Sequence, residues 1–310
     1  MRSITRTGST TALFAVAVTL GGSNFLAVRV SNRELDPFWG AGLRFSMAGL
    51  LFLIIALALR LSWPRGKQLA ITIGYGMLGI SLFYALMYWA LVRVTAGAAT
   101  VVLALVPLVT LLLASAQGLE RITRRAVAGS VLALAGIAWM FLGEGDVGLP
   151  LGAMLALLGA TVCVGQSVIV GKVISANHPA VTNAISLTTG AITLLGLSAI
   201  TGERWAIPQQ PEVRWSLVYL VVLGSAGLFA IVLLVVRRWT ASATSYMFVL
   251  FPLVTMALGA LLLDERVTSH SVVGAVVVMG GAWLGALSPE SRRPAPVRNL
   301  EPARPALDSG

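Results

Sequence analysis

Long apolar segments fill almost the whole chain and leave only short polar connections between them. A run of about 18 or more apolar residues is long enough to cross the hydrocarbon core of a bilayer as a helix. Composition agrees, because 57% of the 310 residues are hydrophobic and 11% are charged, against about 45–50% and about 25% in soluble domains. The sequence therefore predicts an all-α integral membrane protein. Its ten predicted transmembrane helices are residues 11–30, 38–60, 69–91, 95–117, 125–142, 150–172, 180–200, 214–236, 241–263 and 271–288.

Basic residues are divided unevenly between the two sides of the membrane. If the N-terminus is cytoplasmic, 15 of the 22 Lys and Arg residues fall on the cytoplasmic side and six on the other, while Arg44 lies inside the second span. The positive-inside rule therefore predicts a multi-pass protein of the cytoplasmic (inner) membrane with both termini in the cytoplasm. The net charge of +10 is then a topology signal, which argues against nucleic acid as a partner and makes the lipid bilayer the expected one.

The two ends of the chain differ from the spans. Residues 1–10 are predicted to be a cytoplasmic N-terminus, and residues 289–310, which are rich in Pro and Arg, a disordered cytoplasmic tail. The first span is long and has no small-x-small cleavage site, so we interpret it as a retained helix and not as a signal peptide.

A short motif, "PLVT", occurs at 107–110 and again at 252–255. At the same offset of 145 residues, "RVTAGAATVVLALVPLVT" (93–110) aligns with "RWTASATSYMFVLFPLVT" (238–255). So many matches at one offset indicate a tandem duplication. Further pairs at this offset are Glu120 with Glu265, Thr123 with Thr268, Gly129 with Gly274, and Gly136 with Gly281.

The duplication predicts two five-helix repeats, the first over 11–142 and the second over 150–288. Because five is an odd number, the second repeat must enter the membrane upside down. Inverted repeats are typical of secondary transporters, in which two similar halves of opposite orientation can expose one central site to either side. The prolines of the motif lie near mid-membrane, where they either open a substrate cavity or form packing kinks.

This layout resembles the drug/metabolite transporter superfamily, EamA type. The resemblance implies transport of a small metabolite or amphipathic drug by alternating access, with export favoured over import, and a cavity walled by the third, fourth, eighth and ninth helices. It does not identify the substrate, the direction or the coupling ion. Its motifs are residues 95–98, Pro107, Glu120 and Gly129 in the first repeat, and residues 240–244, Pro252, Glu265 and Gly274 in the second.

A membrane-embedded enzyme, such as one that modifies lipids, is the weaker alternative. Such chemistry needs positioned acid-base groups, nucleophiles or metal ligands, and the sequence holds no such constellation. It also lacks a Walker A motif. We therefore expect no catalytic residue, no cofactor and no metal.

Polar and aromatic side chains inside the spans are the candidate substrate-binding residues, because they are costly there without a partner. Interhelical hydrogen bonds are the alternative for Asn24 and Gln166, and an aromatic belt at the interface for Tyr88 and Trp89. Arg44 either anchors an anionic group or braces neighbouring helices. The candidates are Ser23, Asn24, Arg44, Tyr84, Tyr88, Trp89, Pro107, Gln166, Ser167, Phe229, Tyr246, Phe248 and Pro252.

Two further features have structural interpretations. Glu120 and Glu265 each stand just before a helix, where a carboxylate favours the N-terminus of that helix, next to Thr123 and Thr268 as caps. The small-residue faces Gly281-x-x-x-Gly285 and Gly129-x-x-x-Ala133 let helices approach closely. They could pack the two repeats together or pair two protomers in a homodimer.

Overall fold

The structure is a computed structural model that describes residues 2–91, 93, 102–103, 105–141, 150–262 and 269–287. Residues 95–98, Glu265, Thr268 and the predicted tail lie outside the described residues. Within them all regular structure is helical. The elements are α1 (Arg2–Ser31), α2 (Pro37–Ala58), α3 (Lys67–Gly76), π1 (Met77–Leu82), α4 (Phe83–Leu91), α5 (Val106–Ala116), α6 (Arg124–Phe141), α7 (Leu151–Val173), α8 (Pro179–Thr201), α9 (Pro211–Val221), π2 (Val222–Gly227), α10 (Leu228–Arg238), α11 (Ala241–Ser245), α12 (Met247–Leu262), α13 (Ser269–Ala282) and π3 (Trp283–Leu287).

The prediction of an all-α membrane protein is confirmed by the length and composition of these helices. Among the described residues, seven helical segments are long and apolar enough to cross a bilayer. Residues 106–116 and 272–285 form shorter apolar helices, and α6 begins with Arg124 and Arg125. The count of ten spans therefore stays a prediction. The seven segments are Ser9–Val28, Pro37–Ala58, Lys67–Ala90, Leu151–Val173, Pro179–Thr201, Pro211–Arg238 and Ala241–Leu258.

Local sequence explains where many helices begin and end. Pro37, Pro179 and Pro211 open α2, α8 and α9, at positions where the missing N–H group costs nothing because it would have no intrahelical acceptor. Helix α8 ends at Gly202, whose φ of 71° is left-handed and favours glycine. Thr240 caps α11, because its side chain accepts a hydrogen bond from the Ala243 backbone N–H at 3.1 Å.

The helices pack in reciprocal pairs between the first and second repeat. Helix α1 packs against α9, α10 and α12, and α7 packs against π1, α4 and α5 in the same manner. Helix α2 packs along α8, and α6 packs along α13. Every one of these pairs joins an element from residues 2–141 to one from residues 150–287. The interior of the protein is therefore an interface between two halves.

Two π-helical turns interrupt the third helix of each half at equivalent positions. Met77–Leu82 and Val222–Gly227 are separated by the same 145 residues as the two "PLVT" motifs. A π-helical turn displaces the backbone hydrogen-bonding pattern and often marks a functional site. Its recurrence at one offset shows that the duplication extends to local backbone geometry.

The small-residue faces of α6 and α13 lie against each other. A Cβ atom placed on Gly129 would lie 2.6 Å from the Gly285 backbone nitrogen, and one on Gly281 would lie 2.6 Å from the Ala133 backbone nitrogen. The two backbones are therefore in contact at both positions. The faces are used inside the chain, which was one of the two interpretations of the sequence, and a homodimer stays a prediction.

Acidic side chains join the connections that follow α1 and α8. Glu203 accepts hydrogen bonds from the backbone N–H groups of Phe38 and Trp39, at 3.0 and 2.7 Å, in the first turn of α2. Glu34 accepts from the Gln209 N–H at 2.8 Å, and Asp36 accepts from the Arg204 N–H at 2.8 Å. These bonds hold the start of α2 and the end of α8 together.

Candidate functional site

A cavity of about 90 Å³ lies between the two halves, and the described residues that line it come from both. Helix α1 presents one face to it, and α2, α4 and Leu103 complete the side formed by the first half. Leu228 of α10 and three residues of α12 form the other side. The lining residues are Gly21, Asn24, Phe25, Val28, Arg44, Phe83, Tyr84, Met87, Tyr88, Leu103, Leu228, Phe248, Phe251 and Pro252.

Aromatic rings form a continuous wall of this cavity around Tyr84. The Tyr84 ring meets those of Phe45 and Phe83 edge-on, with centroids 4.8 and 5.0 Å apart. Phe83 continues the wall to Phe248, with centroids 6.2 Å apart, and Phe248 continues it to Phe251, at 5.3 Å. Edge-to-face packing fixes the rings relative to one another. The wall is thus apolar, rigid and suited to a hydrophobic group.

Arg44 supplies the only charge among the described lining residues. Its side chain is almost completely buried, with 2% of its surface exposed. Nε donates to the Ser225 hydroxyl at 2.7 Å, and one terminal nitrogen donates to the Gly224 carbonyl at 3.1 Å. The guanidinium carbon lies 4.9 Å from the Phe45 ring centroid and 5.8 Å from that of Tyr84, within the range of cation–π attraction.

Asn24 meets Arg44 at the same carbonyl group. Its Nδ2 donates to the Gly224 oxygen at 2.9 Å, so Gly224, in π2, accepts from side chains of both α1 and α2. The side chain lies so close to the Gly224 Cα that a Cβ there would overlap it. Only glycine fits this position. Ser167 of α7 approaches Gly79 of π1 in a similar way, which makes Ser167 the counterpart of Asn24.

The two "PLVT" motifs join the fourth helix of each half to the first helix of the other. The Thr255 hydroxyl donates to the Gly22 carbonyl of α1 at 2.8 Å. Thr110 lies against Gly165 of α7, where a Cβ would be 3.0 Å from its hydroxyl oxygen. Pro252 lies inside α12 and lines the cavity, whereas Pro107 is buried in the first turn of α5 and does not line it.

Six of the predicted substrate-binding residues line the cavity together: Asn24, Arg44, Tyr84, Tyr88, Phe248 and Pro252. They lie 228 residues apart at most in the chain, and the reciprocal packing of the halves brings them together. Their contact with a substrate stays a prediction.

The other predicted residues lie outside the lining, and most of them have a protein partner. Ser23 is hydrogen bonded to Tyr219, and the Gln166 carbonyl accepts from Gln117 Nε2 at 2.8 Å. Ser167 donates to the Val164 carbonyl at 2.8 Å. The Phe229 ring lies 6.2 Å from that of Phe45. An interhelical hydrogen bond was the alternative to substrate binding for Gln166, and its bond to Gln117 is of that kind.

Trp89 faces away from the cavity. It is 40% exposed, and the Arg93 guanidinium carbon lies 3.8 Å from its ring centroid. An exposed tryptophan beside an arginine near a helix end is typical of the interfacial aromatic belt. The structure therefore favours the belt as the environment of Trp89.

Eight lining residues were not predicted from the sequence, and all are apolar or glycine. One signal could have found those in α1, because Gly21, Asn24, Phe25 and Val28 follow the i, i+3, i+4, i+7 spacing of a single helical face. The same spacing places Met87 three residues after Tyr84 and Phe251 three residues after Phe248, whereas Phe83, Leu103 and Leu228 give no such signal. An apolar side chain looks the same in sequence whether it faces lipid, a neighbouring helix or a cavity.

Glu120 caps a helix of the opposite half. Its carboxylate accepts from the backbone N–H groups of Ala241 and Ser242, at 2.5 and 3.3 Å, and from the Ser242 hydroxyl. The sequence placed the Glu120 carboxylate at the start of α6. That expectation is wrong, because the carboxylate bonds to the start of α11 instead. Thr123 caps α6, accepting from the Ala126 N–H at 3.2 Å. The N-terminus of α11, from the other half, supplies the donors that Glu120 accepts from.

Tyr246 separates α11 from α12 and is held by two hydrogen bonds. Its hydroxyl is bonded to the Ser130 hydroxyl at 2.9 Å and donates to the Ala126 carbonyl at 3.0 Å. We expect Tyr246→Phe to lower the free energy of unfolding by about 1–2 kcal/mol, because it removes both bonds and leaves the buried Ser130 hydroxyl without this partner. Thermal unfolding of the purified protein in detergent measures this. Tyr219→Phe, with its partner less buried, is the matched control, and equal losses would contradict the special role of Tyr246.

The fold, the apolar spans and the cavity shared by two halves define a multi-pass membrane transporter. Within the described residues no three His, Cys, Asp or Glu side chains come close enough to hold a metal ion. The profile of the EamA-like transporter family matches residues 9–142 and again residues 151–286. The chain belongs to this family, as the resemblance in its sequence motifs predicted.

Similar proteins agree with this membership. A probable terminal-alkyne amino-acid exporter of Streptantibioticus cattleyicolor is 29% identical over 88% of this chain and 92% of its own. An uncharacterized inner membrane transporter of Escherichia coli is 30% identical over 80% of each chain. A probable amino-acid metabolite efflux pump of Escherichia coli is 26% identical over 88% of this chain and 93% of its own. One crystal structure shares the fold, with a TM-score of 0.77 and 20% identity over 90% of this chain and 97% of that one.

Proposed function

We propose that the protein exports a small amphipathic metabolite across the cytoplasmic membrane by alternating access about the cavity between its halves. The observation that carries this proposal is the shared lining: Asn24, Arg44 and Tyr84 come from the first half, and Phe248 and Pro252 from the second. A site at the interface of two repeats changes its access when one repeat rocks against the other. Neither half could form this site by itself.

The halves are proposed to be two inverted five-helix repeats, 11–142 and 150–288, with ten spans in all. The reciprocal helix pairs and the two π-helical turns at one offset support this arrangement, because an odd number of spans per repeat reverses the second copy. The division of basic residues supports cytoplasmic termini, with residues 1–10 and the tail 289–310 on that side.

With this topology the described conformation has bonds between the halves on both sides of the membrane, those of Glu34, Asp36 and Glu203 on the outer side and those of Glu120 on the cytoplasmic side. Glu120 bonded to α11 and Gln117 bonded to Gln166 lie at the predicted cytoplasmic ends of their helices. Val28 and Tyr88, in contrast, line the cavity from the predicted outer ends of α1 and α4. Opening the cytoplasmic side would require the Glu120 bonds to break, because they join the two halves.

Export of a metabolite is supported by the names of two relatives, a terminal-alkyne amino-acid exporter and an amino-acid metabolite efflux pump. An amphipathic substrate fits the cavity, because the aromatic wall around Tyr84 accepts an apolar group while Arg44 and Asn24 offer polar contacts. We propose transport without catalysis or a cofactor, as the family membership favours.

Metabolite profiling tests the direction and the substrate together. Cells that overproduce the protein are compared with cells that lack it, inside and outside, without prior choice of compounds. We expect a small amphipathic compound to be depleted inside and enriched outside the overproducing cells. The reverse pattern would make the protein an importer and contradict export.

The prolines of the two motifs should differ in their effect on transport. We expect Pro252→Ala to lower the transport rate several-fold, because the residue lines the cavity and lies inside a helix that must bend during rocking. Pro107→Ala should change the transport rate and the substrate affinity less than Pro252→Ala does, since Pro107 occupies a first helical turn away from the lining. Transport of the identified compound by proteoliposomes measures both. Unchanged rate and affinity in both variants would contradict a role for the prolines in the transport cycle.

A further inference from the structure

Arg44 is a buried charge without an acidic partner among the described residues. Burying a charge costs several kcal/mol unless a counter-charge or sufficient hydrogen bonds compensate it. Three acidic residues lie near the start of α2: Glu34, Asp36 and Glu203. Their carboxylates are already bonded to backbone N–H groups of the connection around residues 204–210 and of the first turn of α2. Arg44 instead contacts one hydroxyl, one carbonyl and two aromatic rings.

The guanidinium group also has unused hydrogen-bond donors. An arginine side chain carries five N–H groups, and two of them are accounted for by Ser225 and Gly224. Three donors have no acceptor among the described residues, and the group borders the cavity. Two parallel N–H groups are the arrangement that binds a carboxylate in a bidentate manner.

Ser186 occupies the position of Arg44 in the other half, if the helices are aligned at Pro37 and Pro179. The other half thus carries no arginine at this aligned position. The aromatic faces of Phe45 and Tyr84 hold the guanidinium in place, which lowers the ordering cost of binding an anion.

We infer that the cavity selects substrates with a small anionic group, a carboxylate or an oxyanion of similar size, and rejects amphipathic cations. The anionic group binds the free N–H groups of Arg44, and the apolar body lies on the wall formed by Phe83, Tyr84 and Phe248. This inference rests on the proposed function, since it gives the chemical class of substrate for the same cavity.

The selectivity follows from the low dielectric of the buried site. An anion beside Arg44 gains a charge-assisted bidentate interaction, whereas a neutral amide leaves the charge unbalanced. A cation of equal shape is repelled at short range with little screening by water. With the same apolar body, a carboxylate should therefore bind most tightly, an amide less tightly and an amine least tightly.

Matched probes test this order on the purified full-length protein. Isovalerate, isovaleramide and isopentylamine share one small branched apolar body and differ mainly in the charge of the polar group. We expect isovalerate to raise the unfolding temperature at a concentration at least about tenfold lower than isovaleramide, and isopentylamine to have no effect. Equal affinity of the three probes, or a lack of isovalerate binding, would overturn the inference.

Two variants separate anion binding from bracing. Arg44→Gln removes the charge and should abolish the preference for isovalerate over isovaleramide. Ser225→Ala removes the Nε acceptor but keeps the charge, and it should keep the preference even if it lowers stability. If Arg44→Gln does not fold, Arg44→Lys serves instead and should retain a reduced preference. A full preference in Arg44→Gln, or its loss in Ser225→Ala, would contradict the anion site.

Transport in proteoliposomes distinguishes the failure of this inference from that of the proposed function. If the protein moves solutes without regard to their charge, the anion site is wrong and the transporter stands. If isovalerate binds with the predicted preference but no solute crosses the membrane, the site stands and export is wrong.

Discussion

Gly281→Leu is expected to lower the free energy of unfolding by about 3 kcal/mol, at the upper end of the range for overpacked cores. The cause is the contact between the backbones of α6 and α13. A Cβ on Gly281 would lie 2.6 Å from the Ala133 nitrogen and 2.7 Å from the Gly129 carbonyl oxygen. Backbone atoms cannot rotate away as a side chain can, so one helix must shift. The shift would separate the two halves at this small-residue contact.

Gly280→Leu is the matched control, one residue away in the same helix. Its Cβ would meet only the end of the Leu132 side chain, at 4.0 Å. Replacement of a helical glycine by leucine should then be neutral or stabilise by up to about 1 kcal/mol. Thermal unfolding in detergent measures both variants. Equal stability of the two variants would show that the close approach of α6 and α13 is wrong.

Glu120→Ala is expected to lower the free energy of unfolding by about 3 kcal/mol, because two backbone N–H groups and one hydroxyl lose a charged acceptor. The bonds link the end of the fourth helix of one half to the start of α11 in the other. Their loss should also favour opening of the proposed cytoplasmic side. Hydrogen exchange at the amides of Ala241 and Ser242 reports this opening directly, and both should exchange faster in the variant.

Two variants control for this effect. Thr123→Ala removes the cap of α6 and should cost about 1 kcal/mol without changing exchange at Ala241. Glu120→Gln keeps one carbonyl acceptor and should fall between wild type and Glu120→Ala in stability, with no change in any pH dependence of transport. Loss of pH dependence in a well-folded Glu120→Gln protein would instead make Glu120 a proton carrier.

The candidate residues show which features of a sequence indicate a binding cavity. Asn24, Arg44 and Tyr84 stand out because polar and aromatic groups inside an apolar span need a partner. Gln166 and Ser23 stand out for the same reason, yet each has a protein partner, Gln117 and Tyr219. The need for a partner can be predicted from one sequence. Whether that partner is a substrate, a side chain of another helix or a backbone group depends on which helices are adjacent.

The wrong expectation for Glu120 has the same cause, since its partner also depends on which helices are adjacent. Capping rules operate within one segment of chain and predict the nearest helix N-terminus along the sequence, that of α6. The nearest N-terminus in space belongs to α11, 121 residues away. Thr123, with a shorter side chain and a position at the start of α6, followed the local rule. Proximity in sequence is therefore a poor predictor of the hydrogen-bond partner of a long side chain at a helix end.

The sequence by itself determined the membrane class, the duplication and the approximate bounds of the described helices. These properties follow from forces that act on each segment separately: transfer of an apolar run into hydrocarbon and the local chemistry of Pro, Gly and charge. The family motifs likewise stand in the sequence without reference to contacts.

Only the tertiary structure decided which helices pair, why Gly129, Gly224 and Gly281 must be glycine, and which side chains share the cavity. Within a bilayer, the packing of one apolar helix on another gains little from hydrophobicity, because lipid is equally apolar. Helix pairing is set instead by close backbone contact and a few polar bonds between residues distant in the chain. The carbonyl of Gly224, reached by both Asn24 and Arg44, is such a point, and no pattern within a single helix indicates it.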